Sequence, residues 1–168
     1  PSKARDHILV YLPFENQAVV TQWLANFQDH NFIQYSSALT DDHQGNVALR
    51  KASISQFKRD LADCRGVICN SGFELISECL HWGKPVLTSP LAKQMEQLSN
   101  AAALKALGYT RVMGGLDTEV TADWLVNPPQ VPSLRFPDVS DRLATWLASG
   151  AEMPIARVSD ELWKQARR

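Results

Sequence analysis

Apolar positions along the chain alternate between two rhythms. His7-Ile8-Leu9-Val10-Tyr11-Leu12 is a short, nearly continuous apolar run stopped by Pro13, which predicts a strand buried on both faces, as in parallel sheets. Val20, Trp23, Leu24 and Phe27 then recur at helical spacing and predict an amphipathic helix over about 16–29. Phe32-Ile33-Gln34-Tyr35 marks a second strand over 31–36. Asp41 to Asn46 is turn chemistry, and Val47-Ala48-Leu49 a short third strand. Ser53 and Gln56 have the spacing of a capping box, opening a helix whose Ile54, Phe57 and Leu61 share one face.

The second half repeats the alternation. Gly66-Val67-Ile68-Cys69 reads as a strand, followed by Asn70-Ser71-Gly72 and a helix over about 73–82 that Gly83 stops. A strand runs between Pro85 and Pro90. An Ala- and Leu-rich helix over about 94–107 ends at Gly108, before a short strand at Thr110-Arg111-Val112-Met113 and a brief helix from Thr121 to Val126. Residues 128–137 hold four of the nine prolines and read as a surface-crossing linker. Asp138–Ala148 and Ser159–Arg167 read as terminal helices. This order predicts an α/β, Rossmann-like domain with a mainly parallel sheet, right-handed crossovers and helices on both faces. Residues 1–127 form its body, with 128–168 as crossing segment and C-terminal helices of the same domain.

Composition narrows the function. The 168 residues are 45% hydrophobic and 21% charged, an ordinary globular balance. Seventeen basic against eighteen acidic side chains leave a net charge of −1, without the basic excess expected of a nucleic-acid binder. No run has the 18 or so apolar residues needed to span a membrane. Cys64, Cys69 and Cys79 lack any paired metal-ligand spacing and read as buried reduced thiols, which fits a cytoplasmic setting. His7, His30 and His43 are expected at the surface, and the five tryptophans in packing. The chain starts at Pro1 without Met, so it is expected to be processed or part of something longer.

In an open parallel sheet, ligands bind beyond the carboxyl ends of the strands. Three segments converge there: Pro13-Phe14-Glu15-Asn16, Asn70-Ser71-Gly72-Phe73, and Pro90 through Gln97. Gly72 permits a tight turn and close approach, and the following helix points free N–H groups and a positive dipole end outward, suiting a phosphate or diphosphate. Glu78, nearly two turns on, could accept two hydrogen bonds from a ribose diol. Glu96 and Gln97 open the next helix at the same rim.

Taken together, Ser71-Gly72-Phe73-Glu74-Leu75-Ile76-Ser77-Glu78, Gly83-Lys84-Pro85-Val86, Pro90, Glu96-Gln97, Asn100-Ala101 and Leu104 resemble the donor-binding, C-terminal domain of GT-B glycosyltransferases. The resemblance is to the group of the peptidoglycan-precursor N-acetylglucosaminyltransferase and the UDP-glycosyltransferases, and covers about 66–108. It implies that amides around Ser71, Gly72 and Phe73 hold the donor diphosphate, with Asn70 standing where plant-type members carry a phosphate-contacting His. It also implies that Glu78 binds the ribose of a uridine nucleotide and that Glu96 and Gln97 contact the transferred sugar. The loop Lys51-Ala52-Ser53-Ile54 would lie against the base.

The implied reaction is inverting transfer from a nucleotide-sugar, such as a UDP-sugar, to an acceptor hydroxyl. The chain has no Asp-x-Asp motif, so no essential metal or other cofactor is expected. A GT-B enzyme has two Rossmann-like halves, and this length supplies one. The partner would be an N-terminal acceptor-binding domain, covalent or separate, through which peripheral membrane association could arise. No catalytic residue is assigned, and the chain alone is expected not to turn over. A nucleotide-sugar hydrolase or epimerase on the same scaffold stays open, although Phe73-Glu74-Leu75-Ile76 breaks the epimerase run. So does a non-catalytic nucleotide-binding or interaction module.

Overall fold

The computed structural model describes residues 6–165. The chain divides into two compact units, Pro1–Val131 and Pro132–Arg168. The first holds one seven-stranded sheet of order β3-β4-β2-β1-β5-β6-β7. Its strands are β1 (His7–Tyr11), β2 (Asn31–Ser36), β3 (Asp42–Gln44), β4 (Val47–Lys51), β5 (Gly66–Cys69), β6 (Val86–Thr88) and β7 (Thr110–Val112). Its helices are α1 (Gln17–Leu24), α2 (Ile54–Asp63), α3 (Phe73–His81), α4 (Met95–Ala106) and α5 (Thr118–Val126). Six strands run parallel, as the apolar runs predict. The exception is β3, which folds back antiparallel on β4 where the sequence reads as a turn. All three of its residues are exposed, so no apolar pattern marks it.

The period of two in β1 assigns its side chains to two cores. Ile8, Val10 and Leu12 join Val20, Trp23, Leu24 and Trp124, the apolar faces of α1 and α5. Leu9 faces the other way, with Leu61, Ile76, Cys79 and Leu104 from α2, α3 and α4. Helices therefore cover both faces. Gly66 lies at a close approach between these layers: a Cβ there would sit 2.8 Å from Trp124.

Several boundaries differ from the sequence reading, each for a local reason. Helix α1 stops at Leu24, where the Asn26 and Phe27 N–H groups turn to carbonyls three residues back, and beyond it the Asn46 amide donates to the Phe27 and His30 carbonyls, both at 2.9 Å. Asp117 caps α5 through the Val120 N–H, so that helix begins at Thr118. No capping box forms at Ser53: its side chain makes no cap bond, and Gln56 instead donates to the Asp60 carboxylate. Gly83 does end α3, at φ 64°. The next residue, Lys84, sends its ammonium to the Ala62 and Cys64 carbonyls at the end of α2. His7, expected at the surface, is buried with Nε2 3.0 Å from the Asp60 carbonyl. His30 is only partly exposed, beside Arg65.

The second unit contains α6 (Val139–Ala148) and α7 (Ile155–Gln165), the latter starting four residues before the expected Ser159. Arg142 pairs with Glu161 at 2.7 Å, and the Trp146 indole donates to the Met153 carbonyl. The Arg142 contact holds the Glu161 carboxyl below its ordinary range. Trp163 is exposed rather than packed, and so is Trp82 at the end of α3 in the first unit. Among the described residues no helix is long and apolar enough to cross a membrane.

Candidate functional site

The chain reverses its direction of travel across the sheet between β1 and β5, which lie side by side with Tyr11 opposite Cys69. Connections leave these strands in opposite directions and open a crevice beyond their carboxyl ends. A cavity of about 340 Å³ sits there, walled by the loop after β1, the start of α3 and the start of α4; Asn70, Gly72, Phe73, Glu74, Glu96 and Gln97 all border it. Tyr11, Glu74 and Leu75 lead into a second cavity of about 370 Å³, lined by Tyr35, Phe57, Ser53 and Glu78. Ala52 and Ser53 lead on to a third, about 820 Å³, bearing Arg50, Lys51 and Arg59. All eight sequence-selected residues thus lie at one rim: seven border these cavities, and Ser71 lies beneath the first.

The rim's helices are not alike at their starts. Asn16 and Asp117 cap α1 and α5 with their side chains, whereas α2, α3 and α4 have no side-chain cap. At α3 the cap position is Gly72, so the N–H groups of its first turn point outward without an acceptor. The glycine is not required by the turn. Its φ of −68° is open to any residue, and a Cβ there would meet nothing within 4 Å. What glycine leaves is room for a ligand to reach the backbone.

Ser71 behaves differently from expectation. It is fully buried, and its N–H donates to Gln97 Oε1 at 3.2 Å rather than facing the cleft. The Thr88 hydroxyl gives its single proton to the Cys69 carbonyl, so the Ser71 hydroxyl must donate inward to Thr88. The Ser71 carbonyl accepts from Asn100. Gln97 is equally committed, its oxygen also accepting the Leu91 N–H at 3.1 Å and its nitrogen donating to Gln94. Gln97 and Asn100 therefore brace the loop.

Asn70 donates to the Ser89 carbonyl at 2.9 Å, which fixes its amide orientation and leaves a buried Oδ1 without a hydrogen-bond partner. Glu78, Glu96 and Phe73 are exposed at the cleft wall. Sequence reasoning missed the aromatic lining. The Phe57 ring meets Tyr35 and Tyr11 edge-on at 5.1 Å and 5.6 Å. It also missed Glu74, one turn before Glu78, whose carboxylate shares the positive end of α3. Burial and the Asp60 hydrogen bond push the Tyr35 phenol upward, so it stays a neutral donor.

A parallel sheet with uncapped helix starts around a central crevice defines a Rossmann-like α/β domain. Residues 1–129 match the model of glycosyl transferase family 1, and the chain belongs to that family. Among solved structures it is similar to the glycosyltransferase SnogD from Streptomyces nogalater, at 20% identity and TM-score 0.53, covering 68% of this chain and 32% of that one. The glycotransferase of kitacinnamycin gives 20% identity and TM-score 0.55 over 73% and 34%. The solution structure of ALG13 gives 13% and 0.55 over 76% of this chain and 89% of that one. The chain spans about a third of the length of the first two. No curated protein matches it in sequence.

Proposed function

We propose that this chain is the donor-binding, C-terminal half of a glycosyltransferase that moves a sugar from a uridine diphosphate nucleotide to an acceptor hydroxyl. The observation that carries the reading is the uncapped start of α3 at Gly72, opening into the crevice with Glu78 on the same helix. The first-turn N–H groups take the diphosphate and stabilise its charge as it leaves, the role a metal plays in other transferases. Glu78 accepts from the ribose hydroxyls. The aromatic cavity beside Ser53 takes the base. Glu96, with the orphaned acceptor of Asn70 nearby, faces hydroxyls of the sugar. The acceptor site and catalytic base belong to an N-terminal domain, covalent or separate, so this chain alone binds donor without turnover. Its setting is cytoplasmic.

Isothermal titration with UDP, ADP and GDP tests this. UDP should bind selectively, and Glu78→Ala, which removes an exposed side chain, should abolish binding without lowering the melting temperature. Binding unaffected by Glu78→Ala, or no preference for UDP, would refute the reading.

A further inference from the structure

The third cavity and the aromatic one are joined by a hydrogen-bond relay rooted in a buried acid. Asp60 is 3% exposed. Its carboxylate accepts from the Tyr35 hydroxyl at 2.7 Å and from Gln56 Nε2 at 3.2 Å to each oxygen. A carboxylate only accepts, so it fixes the Gln56 amide with nitrogen inward and oxygen outward. Arg59 Nη2 donates to that oxygen at 2.7 Å. The guanidinium is thereby held in place by a group it never touches.

This relay spans both compartments. Tyr35 borders the aromatic cavity, while Gln56 and Arg59 border the adjoining one, and Ala52 and Ser53 belong to both. The adjoining cavity presents Arg50, Lys51 and Arg59. The Asp41 carboxylate at the same cavity already accepts the Lys51 N–H at 2.9 Å. A base resting against the aromatic rings of the one cavity turns an edge toward the donors of the other.

We infer that Arg59 is a specificity-determining residue that reads the exocyclic carbonyl edge of the bound nucleobase, with Gln56 and Asp60 as its positioning residues. The inference rests on the donor-binding reading above. A guanidinium donates and never accepts. A uracil or thymine 4-carbonyl accepts from it, whereas the 4-amino group of cytosine sets donor against donor at that position.

The experiment is equilibrium binding of UDP and CDP, whose bases differ at the 4-substituent and in the proton on the neighbouring N3, to the full chain and its variants. The unaltered chain should favour UDP by about tenfold or more. Arg59→Ala should bring the two within about twofold of each other, mainly through lost UDP affinity. Gln56→Leu, which frees Arg59 while leaving its charge, should lower the ratio partway. An unaltered chain that binds UDP and CDP equally overturns the inference. So does an Arg59→Ala variant that loses both equally with the ratio intact, since that marks a merely structural role. Failure to bind any nucleotide would instead sink the donor-site reading, and the inference with it.

Discussion

Gln97 on α4 holds the backbone of Ser71, 26 positions earlier in the chain, through a 3.2 Å bond from the Ser71 N–H to its side-chain oxygen. The same oxygen accepts the Leu91 N–H, so one amide fixes the loops after β5 and β6 together. Two of the cavity's walls are therefore set by a side chain that resemblance alone assigns to sugar contact.

Replacing that acceptor strands two backbone donors. Gln97→Leu should cost about 2–4 kcal/mol in urea unfolding, since each buried unpaired N–H carries its own desolvation penalty. Gln97→Glu keeps the acceptor and should recover most of the loss. Equal destabilisation by both variants would show that packing, not the paired N–H groups, matters here.

Gly72→Ala separates stability from binding. The alanine loses some capping preference but orders the unfolded chain, and its methyl meets open space, so stability should move by no more than about 0.5 kcal/mol. UDP affinity should drop by about tenfold, because the methyl occupies the approach to the α3 N–H groups. A large fall in melting temperature with binding intact would reverse this assignment.

Glu74 is the one acidic residue in the first turn of α3. Its charge opposes a diphosphate at the same end of the helix. Glu74→Gln should therefore tighten UDP binding about two- to fivefold in low salt, with the gain shrinking as ionic strength rises. Weaker binding would mean that Glu74 itself contacts the ligand.

The three thiols lie in the core layer beneath α2 and α3, and burial pushes Cys64 up to about 11 and Cys69 up to about 12 from an ordinary 9.0, with Cys79 raised further. They should resist disulfide-exchange reagents at mildly alkaline pH and react only after unfolding. Above the ordinary value the unfolded chain loses thiol protons while the folded chain keeps them. Stability should then fall as pH rises from about 9 toward 11. Rapid reaction of the folded protein would contradict the burial.

Much of the fold was legible because both faces of the sheet are covered, which writes β1, β2, β5 and β6 as apolar runs. Strand β3 was invisible for the opposite reason: it is exposed and held only by its ladder with β4. At the site, the uncapped α3 start and Glu78 could be read from spacing along one helix. The roles of Gln97 and Asn100 could not, since both depend on the backbone of Ser71 across the fold. The Tyr35–Asp60–Gln56–Arg59 relay was equally hidden. Ser53 and Gln56 had the spacing of a local cap, and a long-range carboxylate claimed the amide instead.

The two end strands of the sheet, β3 and β7, are three residues each, and each exposes a charged side chain, Asp42 in one and Arg111 in the other. Short, charged end strands make poor templates for a neighbouring molecule's backbone. A sheet this rich in valine, isoleucine and leucine would otherwise invite edge-to-edge stacking into aggregates. The blunting confines its apolar strands to the interior of a single molecule.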